Sequence, residues 1–297
     1  MNVNGLIVAS YGRHVIVESL DGQRRICHPR GKKNQAVVGD QVSWLASEDE
    51  GTIESIHPRK NLFYRQDDIR TKLFAANIDQ ILIFIAAKPE FSEMQITRAL
   101  IAAQAQGIQA LIALNKKDIQ PEFEYALQKL SAYKKMGYRV IELSLKDPDF
   151  DLSEFQNLIS HQSTLVLGPS GSGKSTLINR LIPSALAATN SISEALQSGK
   201  HTTTSTTWYW IEQDQKTALI DSPGFQEFGI HHLETSALAQ WMPDLQPYIG
   251  LCKFSNCSHV HEPDCNIKTA LARGEIDAQR YKIYTQLFEE LSQPRQF

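Results

Sequence analysis

Short apolar runs separated by turn residues fill the first part of the chain, residues 1–66. Pairs such as Asp21-Gly22 and Gly39-Asp40 are typical of tight turns between strands. Five strands are predicted, at 5–8, 14–17, 37–38, 42–45 and 51–56. Five short strands at this spacing favour a small β-barrel, for which an OB-fold is the first candidate.

From residue 67 the pattern changes to longer runs that are apolar throughout, as in parallel strands covered on both faces. Such strands are predicted at 79–87, 108–114, 138–143, 164–167, 208–211 and 217–220. Helical spacing appears between them, at 96–105, 122–136 and 151–160. Alternating strands and helices predict an α/β domain built on a mostly parallel sheet.

The last part of the chain predicts a small, mainly helical domain. Five apolar residues lie on one face of a predicted helix: Tyr281, Tyr284, Leu287, Phe288 and Leu291. This stripe favours burial in a core, with a partner surface as the alternative. The sequence therefore predicts three domains, at 1–66, 67–235 and 236–297.

Composition narrows the class of protein. The 297 residues carry a net charge of −3 and are 42% hydrophobic, which is typical of a soluble globular protein. No run of about 18 apolar residues occurs, so no membrane span is expected, and the first residues lack the pattern of a secretory signal. The barrel region has nine basic and seven acidic residues, against 21 and 26 in the rest of the chain. Its basic stretch, 24–33, is predicted to be a loop that favours a nucleic-acid backbone, with a solvated loop as the alternative.

Residues 164–176, TLVLGPSGSGKST, carry the strongest chemical signal. The segment 168–175 fits G-x-x-x-x-G-K-[ST], the pattern of a phosphate-binding P-loop. It follows a predicted strand and precedes a helical pattern that Pro183 ends. Its glycines let main-chain N–H groups approach a polyphosphate, and the helix N-terminus favours the negative charge. Lys174 is expected to reach the β- and γ-phosphates, and Ser175 to bind Mg²⁺. The predicted phosphate-binding residues are Gly168, Pro169, Ser170, Gly171, Ser172, Gly173, Lys174, Ser175 and Thr176.

The predicted strand 108–114 delivers Asn115-Lys116-Lys117-Asp118. This N-K-x-D pattern resembles the guanine-reading motif of GTPases. The Asp118 carboxylate can accept hydrogen bonds from N1–H and the 2-amino group of guanine, which adenine lacks, and sites built on such bonds discriminate strongly. Asn115 is expected to tie this loop to the P-loop, and the stem of Lys116 to lie over the base.

The next predicted strand, 138–143, ends in Ser144-Leu145-Lys146, which resembles the second base-contacting loop of GTPases, S-A-K. Leu145 departs from that pattern, which is harmless if the backbone makes the contact. The predicted base-binding residues are therefore Asn115, Lys116, Lys117, Asp118 and Ser144.

Two further segments have the features of nucleotide-sensing switches. Residues 190–206 are polar and contain GKHTTT at 199–204. One of these threonines is expected to bind Mg²⁺ through its hydroxyl and the γ-phosphate through its N–H. The middle or the last is favoured, and Thr204 is the predicted residue. The segment 221–224, DSPG, follows a predicted strand and fits D-x-x-G. Asp221 is expected to hold Mg²⁺ through water, and the Gly224 N–H to meet the γ-phosphate.

Three of the four cysteines lie within fourteen residues near the C-terminus. Together with a histidine they offer three thiolates and one imidazole, a closed tetrahedral set for one structural zinc ion. The predicted ligands are Cys252, Cys257, His259 and Cys265, with His261 as the rival histidine. Their clustering favours metal in a reducing cytosol over free thiols. Cys27 is expected to be an ordinary small side chain.

The order of the motifs is unusual. Ordinary GTPases run P-loop, threonine switch, D-x-x-G, N-K-x-D and S-A-K, whereas here the two base loops come first. The chain therefore resembles a circularly permuted GTPase, which is physically allowed because domain termini often lie close together. The permutation places the second switch at the end of the GTPase domain, directly before the predicted zinc domain.

Barrel, motif order and zinc spacing together resemble the bacterial ribosome small subunit-dependent GTPase A family over essentially the whole chain. The resemblance implies a cytoplasmic GTP hydrolase that binds the 30S ribosomal subunit, acts in its late maturation and is stimulated by it. The implied ligands are GTP or GDP with Mg²⁺, one zinc ion and 16S rRNA. We expect a monomer without a membrane partner.

The expected reaction is in-line attack of water on the γ-phosphate, with Lys174, Mg²⁺ and loop N–H groups holding the developing charge. Phe225 follows Gly224, where many GTPases have a glutamine that orients the water, so intrinsic turnover is expected to be slow. His201 is the candidate for that role, with a solvated loop histidine as the alternative. The predicted catalytic residues are His201, Lys174 and Thr204.

Two other functions stay open on the sequence. One is an ATP-dependent P-loop kinase, against which Asp118 argues. The other is an RNA-binding assembly factor whose nucleotide site switches shape with little catalysis. Phosphate release from GTP and from ATP, with and without 30S subunits, discriminates among the three.

Overall fold

The computed structural model describes residues 2–12, 14–30, 35–47, 50–67, 70–183, 185, 205–211, 215–222, 225 and 228–293. Several residues singled out from the sequence lie outside these ranges: the segment 199–204 with His201 and Thr204, then Gly224, and Lys32 and Lys33 of the basic stretch. Within the described ranges, no helix has the length and apolar character needed to cross a bilayer.

Five strands build the N-terminal barrel: β1 (Asn2–Tyr11), β2 (His14–Ser19), β3 (Arg24–Pro29), β4 (Gln41–Ala46) and β5 (Gly51–Ile56). Neighbouring strands follow the order β1-β2-β3-β5-β4, and β4 pairs back onto β1, which closes the barrel. β3 and β5 run parallel, and the other barrel pairs are antiparallel. This closed five-stranded order confirms the predicted OB-fold.

Two details of the barrel differ from the prediction. The first six residues of the basic stretch are not a loop but strand β3, in which Cys27 faces the core while Arg24 stays at the surface. Val37-Val38 is not a strand, and Val38 makes only an isolated bridge to Ala75. The reason is the buried Asp40 carboxylate, which accepts a hydrogen bond from the Val37 N–H at 2.9 Å and holds a turn there.

A hairpin that the sequence analysis did not predict joins the barrel to the next domain. Its strands β6 (Leu62–Gln66) and β7 (Thr71–Ala76) pair with each other and span the predicted domain boundary. Phe63 of β6 packs on Phe228, with ring centroids 5.5 Å apart, and Phe228 in turn lies 5.9 Å from Phe225. The hairpin therefore anchors the chain that follows the D-x-x-G segment.

Six strands form the central sheet: β8 (Gln80–Ala86), β9 (Gln109–Asn115), β10 (Arg139–Glu142), β11 (Ser163–Leu167), β12 (Thr206–Trp210) and β13 (Ala218–Asp221). Their order is β10-β9-β8-β11-β13-β12, and every pair is parallel except β12 with β13. This arrangement confirms the predicted α/β domain.

Five helices cover the sheet: α1 (Glu93–Ala105), α2 (Glu122–Lys129), α3 (Ser131–Lys135), α4 (Ser153–Ile159) and α5 (Lys174–Leu181). Successive strand residues point to opposite faces, so Leu82 packs with α4 and α5 while Ile81 and Ile83 pack with α1, α2 and α3. The predicted helix 122–136 is two helices, because the chain tightens at Leu130, whose N–H is shared between the carbonyls of Ala126 and Leu127.

The barrel and the central sheet are one continuous hydrogen-bonded surface. β1 of the barrel pairs antiparallel with β12, with Ala9 opposite Thr207. Beside this seam, the buried Glu18 carboxylate accepts hydrogen bonds from the indole of Trp210 and the guanidinium of Arg24, both at 2.7 Å. The barrel is thus joined to the strand that follows the predicted first switch.

The C-terminal part contains two 3-10 helices (Thr235–Trp241 and Gln246–Tyr248), α6 (Asn266–Ala272) and α7 (Ala278–Ser292). Tyr284 and Leu287 of α7 are buried, so the apolar stripe is core rather than a free partner surface. At the start of α7 the buried Arg280 guanidinium pairs with Asp244 at 2.8 Å and also reaches the Thr97 hydroxyl of α1. The C-terminal part therefore packs directly on helix α1 of the α/β domain.

Substitution Phe228→Ala is expected to lower the free energy of unfolding by roughly 3–5 kcal/mol, because it empties a site enclosed by other aromatic rings. Phe228 exposes 1% of its surface. The matched control is Phe254→Ala, since Phe254 is 41% exposed and its truncation is expected to cost less than about 1 kcal/mol. Urea denaturation followed by tryptophan fluorescence measures both variants. Equal losses would contradict the packing described above.

Candidate nucleotide site and metal centre

The register of the parallel strands brings the predicted motifs to one edge of the sheet. Val166 of β11 lies opposite Asp221 of β13, and Asn115 of β9 lies opposite Ala86 of β8. The P-loop follows β11, and the two base loops follow β9 and β10. Because the carboxyl ends of parallel strands meet at the same edge, the base loops lie on one side of the P-loop and Asp221 on the other.

Two P-loop glycines are required by close contacts. A Cβ on Gly168 would lie 2.0 Å from the carbonyl oxygen of Phe84, and a Cβ on Gly173 would lie 2.5 Å from the side-chain nitrogen of Asn115. Gly173 also has φ +103°, in the left-handed region that favours glycine. Within the loop, the buried Ser172 hydroxyl donates to the Pro169 carbonyl at 2.9 Å. The loop is therefore folded tightly against β8 and β9.

Lys174 begins helix α5 and lies back over the loop. Its Nζ donates to the carbonyls of Gly168 at 2.6 Å and Pro169 at 3.1 Å. Burial lowers the pKa of Lys174, and the nearby Asp221 opposes that shift. These carbonyl acceptors are neutral. A phosphate oxygen in their place would accept a stronger, charge-assisted hydrogen bond from Lys174. Ser175 and Thr176, on the first turn of the helix, are exposed.

Asp221, the last residue of β13, interacts electrostatically with this lysine. Burial raises its pKa to about 6, although Lys174 and the Ser222 main-chain N–H lower it. A carboxylate held away from water is a suitable partner for a divalent cation, whose charge offsets the cost of burial. The oxygens of Asp221 and Ser175 are thus a hard donor set of the kind that Mg²⁺ prefers.

Asn115 connects the P-loop with the two base loops. Its buried side-chain amide donates to the Ser172 carbonyl of the P-loop at 2.9 Å and accepts from the Leu145 N–H at 3.1 Å. The expected tie to the P-loop is therefore present, and it extends to the Ser144-Leu145-Lys146 loop. The Leu145 side chain, where the sequence departs from S-A-K, is buried in the core, and its main-chain N–H is the group that meets Asn115.

The other predicted base-binding residues make separate contacts. The Lys116 ammonium donates to the Lys88 carbonyl at 2.6 Å, and Lys117 pairs with Glu142 at 3.0 Å. Asp118 lies at the surface, with an oxygen 3.9 Å from the Lys146 ammonium. Ser144 is buried. The described residues thus bring the two base loops and the P-loop into one assembly, while His201, Thr204 and Gly224 lie outside the described residues.

Sequence reasoning missed two contacts of the base loops. One is the Lys88 carbonyl, because a main-chain acceptor leaves no mark in a sequence. The other is Arg180 of α5, whose guanidinium donates to carbonyls of the loop after Lys146. An arginine on the polar face of a helix is so common that its spacing alone signals nothing.

The four predicted metal ligands converge in the C-terminal part. Their donor atoms all lie within 4.8 Å of one another. The Sγ atoms of Cys252 and Cys265 are 3.8 Å apart, and His259 Nδ1 lies 3.4 Å and 3.6 Å from them. A tetrahedral ion with bonds of about 2.3 Å to sulfur and 2.0 Å to nitrogen requires a sulfur–sulfur separation of about 3.8 Å and a sulfur–nitrogen separation of about 3.5 Å. The donor set therefore fits a tetrahedral metal ion, and His259 rather than His261 belongs to it.

Helix α7 holds the loop that carries these ligands. The Tyr281 hydroxyl donates to the His259 carbonyl at 2.8 Å, and the Tyr284 hydroxyl donates to the Ser258 carbonyl at 2.7 Å. His259 has φ +63°, an unusual conformation for a residue with a side chain. The tyrosines stabilise this backbone, so α7 positions the ligand loop from outside the ligand set.

Known proteins resemble this chain along its whole length. A family model described as RsgA GTPase matches residues 56–231. The chain is 59% identical over 297 residues to the small ribosomal subunit biogenesis GTPase RsgA of Variovorax paradoxus (strain S110), covering 98% of this chain and 93% of that protein. It is 48% identical over 295 residues to the protein of the same name from Paraburkholderia xenovorans (strain LB400), with coverage of 97% and 93%.

Two solved structures are also similar. YjeQ from Thermotoga maritima superposes with a TM-score of 0.75 at 27% identity, covering 99% of this chain and 100% of that one. YloQ, described as a circularly permuted GTPase, superposes with a TM-score of 0.71 at 26% identity, covering 100% and 98%. The permuted order of motifs is therefore confirmed.

Substitution Asp221→Asn is expected to stabilise the nucleotide-free protein at pH 7.5 without added Mg²⁺, by roughly 1–2 kcal/mol or a few degrees in Tm. The pKa of Asp221 is raised from 3.8 to about 6, so above pH 6 its ionised form opposes folding. The gain should shrink as pH falls from 6 towards 4, since the wild-type group then becomes neutral.

Circular dichroism melts across this pH range provide the measurement. Glu124→Gln, a change at an exposed carboxylate, is the control and should shift Tm by less than about 1 °C. A Tm gain that is independent of pH would contradict the burial argument.

Substitution His259→Ala is expected to remove most of the bound metal, because it leaves a three-ligand set open to water. His261→Ala is the matched control and should retain one metal ion per chain, since His261 is not in the cluster. Metal content of the purified proteins is measured by inductively coupled plasma mass spectrometry. The reverse result would assign the imidazole ligand to His261.

Proposed function

We propose that this chain, which belongs to the RsgA GTPase family, uses its GTPase activity in the biogenesis of the small ribosomal subunit. The finer parts of the proposal are that it binds the 30S subunit, acts late in its maturation and is stimulated by it. The names of the relatives support the link to the small subunit. The observation that carries the proposal is the Asn115 amide, which joins a guanine-type loop to a P-loop in one site.

In this proposal the described residues divide the work of binding GTP. Lys174 and the N–H groups of the loop 168–173 hold the β- and γ-phosphates, and Thr176 lies on the first turn of the same helix. Asp118 reads the guanine edge, with Lys116 against the base and Asn115 and Ser144 supporting the loops. Ser175 and Asp221 would hold Mg²⁺, which supplies positive charge to the phosphate oxygens.

The chemical step is attack of water on the γ-phosphate, in line with the leaving oxygen. Phe225 is buried in the aromatic cluster with Phe228, so its side chain is not available to orient that water. This supports slow turnover in the free protein. We assign the orienting role to His201, the second Mg²⁺ and γ-phosphate contact to Thr204, and a γ-phosphate N–H to Gly224.

The remaining parts of the proposal concern the other domains. We assign zinc to the Cys252, Cys257, His259 and Cys265 site, on the fit of its donor set to tetrahedral geometry. We assign 16S rRNA binding to the barrel, whose strand β3 carries the exposed Arg24 and the partly exposed Arg25. We also propose a cytoplasmic monomer with domains at 1–66, 67–235 and 236–297.

The test is phosphate release from GTP and from ATP, with and without purified 30S subunits. We expect slow GTP turnover that rises at least tenfold with subunits, and no turnover of ATP. His201→Ala should lose most of that stimulated rate while binding GDP normally. GTP turnover indifferent to the subunit would remove the ribosomal partner, and ATP turnover would overturn the reading of Asp118.

A further inference from the structure

Helix α5 carries a basic side chain at each end, and the two face different parts of the nucleotide site. Lys174 at its start lies over the P-loop, and Arg180 in its last turn faces the loop that follows Ser144-Leu145-Lys146. Six residues separate them, which is about 9 Å along a helix. A rigid helix thus spans the distance from the phosphate loop to the base loop.

The Arg180 guanidinium makes three hydrogen bonds to that loop, all to main-chain carbonyl oxygens. Nη1 donates to Asp147 at 2.9 Å, and Nη2 donates to Pro148 at 3.0 Å and Phe150 at 2.9 Å. The planar fork of arginine can serve several acceptors at once, whereas a lysine ammonium acts from one point. The loop itself is short and exposed from Lys146 to Asp149, so little packing holds it there.

The near end of the same loop is held by a different group. The Leu145 N–H donates to the Asn115 amide, which also binds the P-loop at Ser172. Asn115 therefore fixes the loop at residue 145 and Arg180 fixes it at residues 147–150. Both ties lead to the P-loop or to the helix that leaves it, so the distance from phosphate to base is set at two points.

We propose that Arg180 is a positioning residue for guanine recognition, which holds the second base loop at the distance from the P-loop that a nucleotide requires. This inference rests on the proposed base site. A loop that is already ordered saves the nucleotide the entropic cost of ordering it, so the loss of these bonds weakens binding through the base. The phosphate contacts of Lys174 and the P-loop are made by other atoms and are unaffected.

The experiment compares Arg180→Gln, Arg180→Lys and the control Arg139→Gln in the full chain. Arg139 is another arginine of the same domain, in an exposed ion pair with Glu154 at 2.9 Å. Its substitution is expected to change the Kd of either probe little. Two probes compete with a fluorescent GDP: unlabelled GDP, and ribose 5-diphosphate, which has the phosphates but no base. Circular dichroism melts verify that each variant is folded.

For Arg180→Gln we expect the Kd of GDP to rise about tenfold and that of ribose 5-diphosphate to stay within about twofold. Arg180→Lys, which keeps the charge and part of the bonding, should lie between it and the wild type. The KM for GTP should rise in parallel with the Kd of GDP. If Arg180 had only a structural role, its loss would raise the Kd of both probes equally. That result, or an unchanged Kd of GDP, would overturn the inference.

Asp118→Asn separates this inference from the proposed function. If Asp118→Asn raises the Kd of GDP and Arg180→Gln does not, the proposed base site is supported and the role of Arg180 is contradicted. If Asp118→Asn leaves the Kd of GDP unchanged, the base site is misplaced and both proposals fall. If both variants raise the Kd of GDP and leave that of ribose 5-diphosphate unchanged, the result supports both the base site and the role of Arg180.

Discussion

The parallel pairing of β11 with β8 on one side and β13 on the other is the constraint on which the nucleotide site depends. It places Leu167 opposite Ile83 and Val166 opposite Asp221, so the P-loop emerges between the base loops and the acidic group. The pairing is close: a side chain on Gly168 would collide with the Phe84 carbonyl. Because each loop takes its place from its strand and not from its order in the chain, the permuted sequence builds the same kind of site.

The other domains are attached to the chain on either side of this site. β12, which follows the predicted first switch, pairs with β1 of the barrel. The residues after the predicted second switch enter the aromatic cluster, where Phe228 packs between Phe63 and Phe225. The residues that flank the predicted switches are therefore part of a strand pair and an aromatic cluster shared with the other domains.

The candidate metal centre is also held by residues from another part of the fold. Three sulfurs and one nitrogen at tetrahedral spacing define it, but Tyr281 and Tyr284 hold the loop from outside the ligand set. The helix that bears these tyrosines is itself fixed to α1 through Arg280 and, at its far end, through the ion pair of Arg98 with Glu290. Helix α7 therefore links the ligand loop to helix α1 of the α/β domain.

The sequence by itself determined the α/β class, the barrel and the permuted motif order, and it proposed the residues of the candidate sites. These depend on local rules, because a P-loop, an N-K-x-D loop or a cysteine cluster needs particular residues at short spacing, and strand or helix periodicity is visible within a few residues. Tertiary structure alone decided the strand β3, the hairpin β6–β7, the exclusion of the rival His261, and the contacts of Arg180 and Glu18. Those features arise from hydrogen bonds and packing between residues far apart in the chain, such as Glu18 with Trp210, and no local pattern encodes which distant partner a side chain will meet.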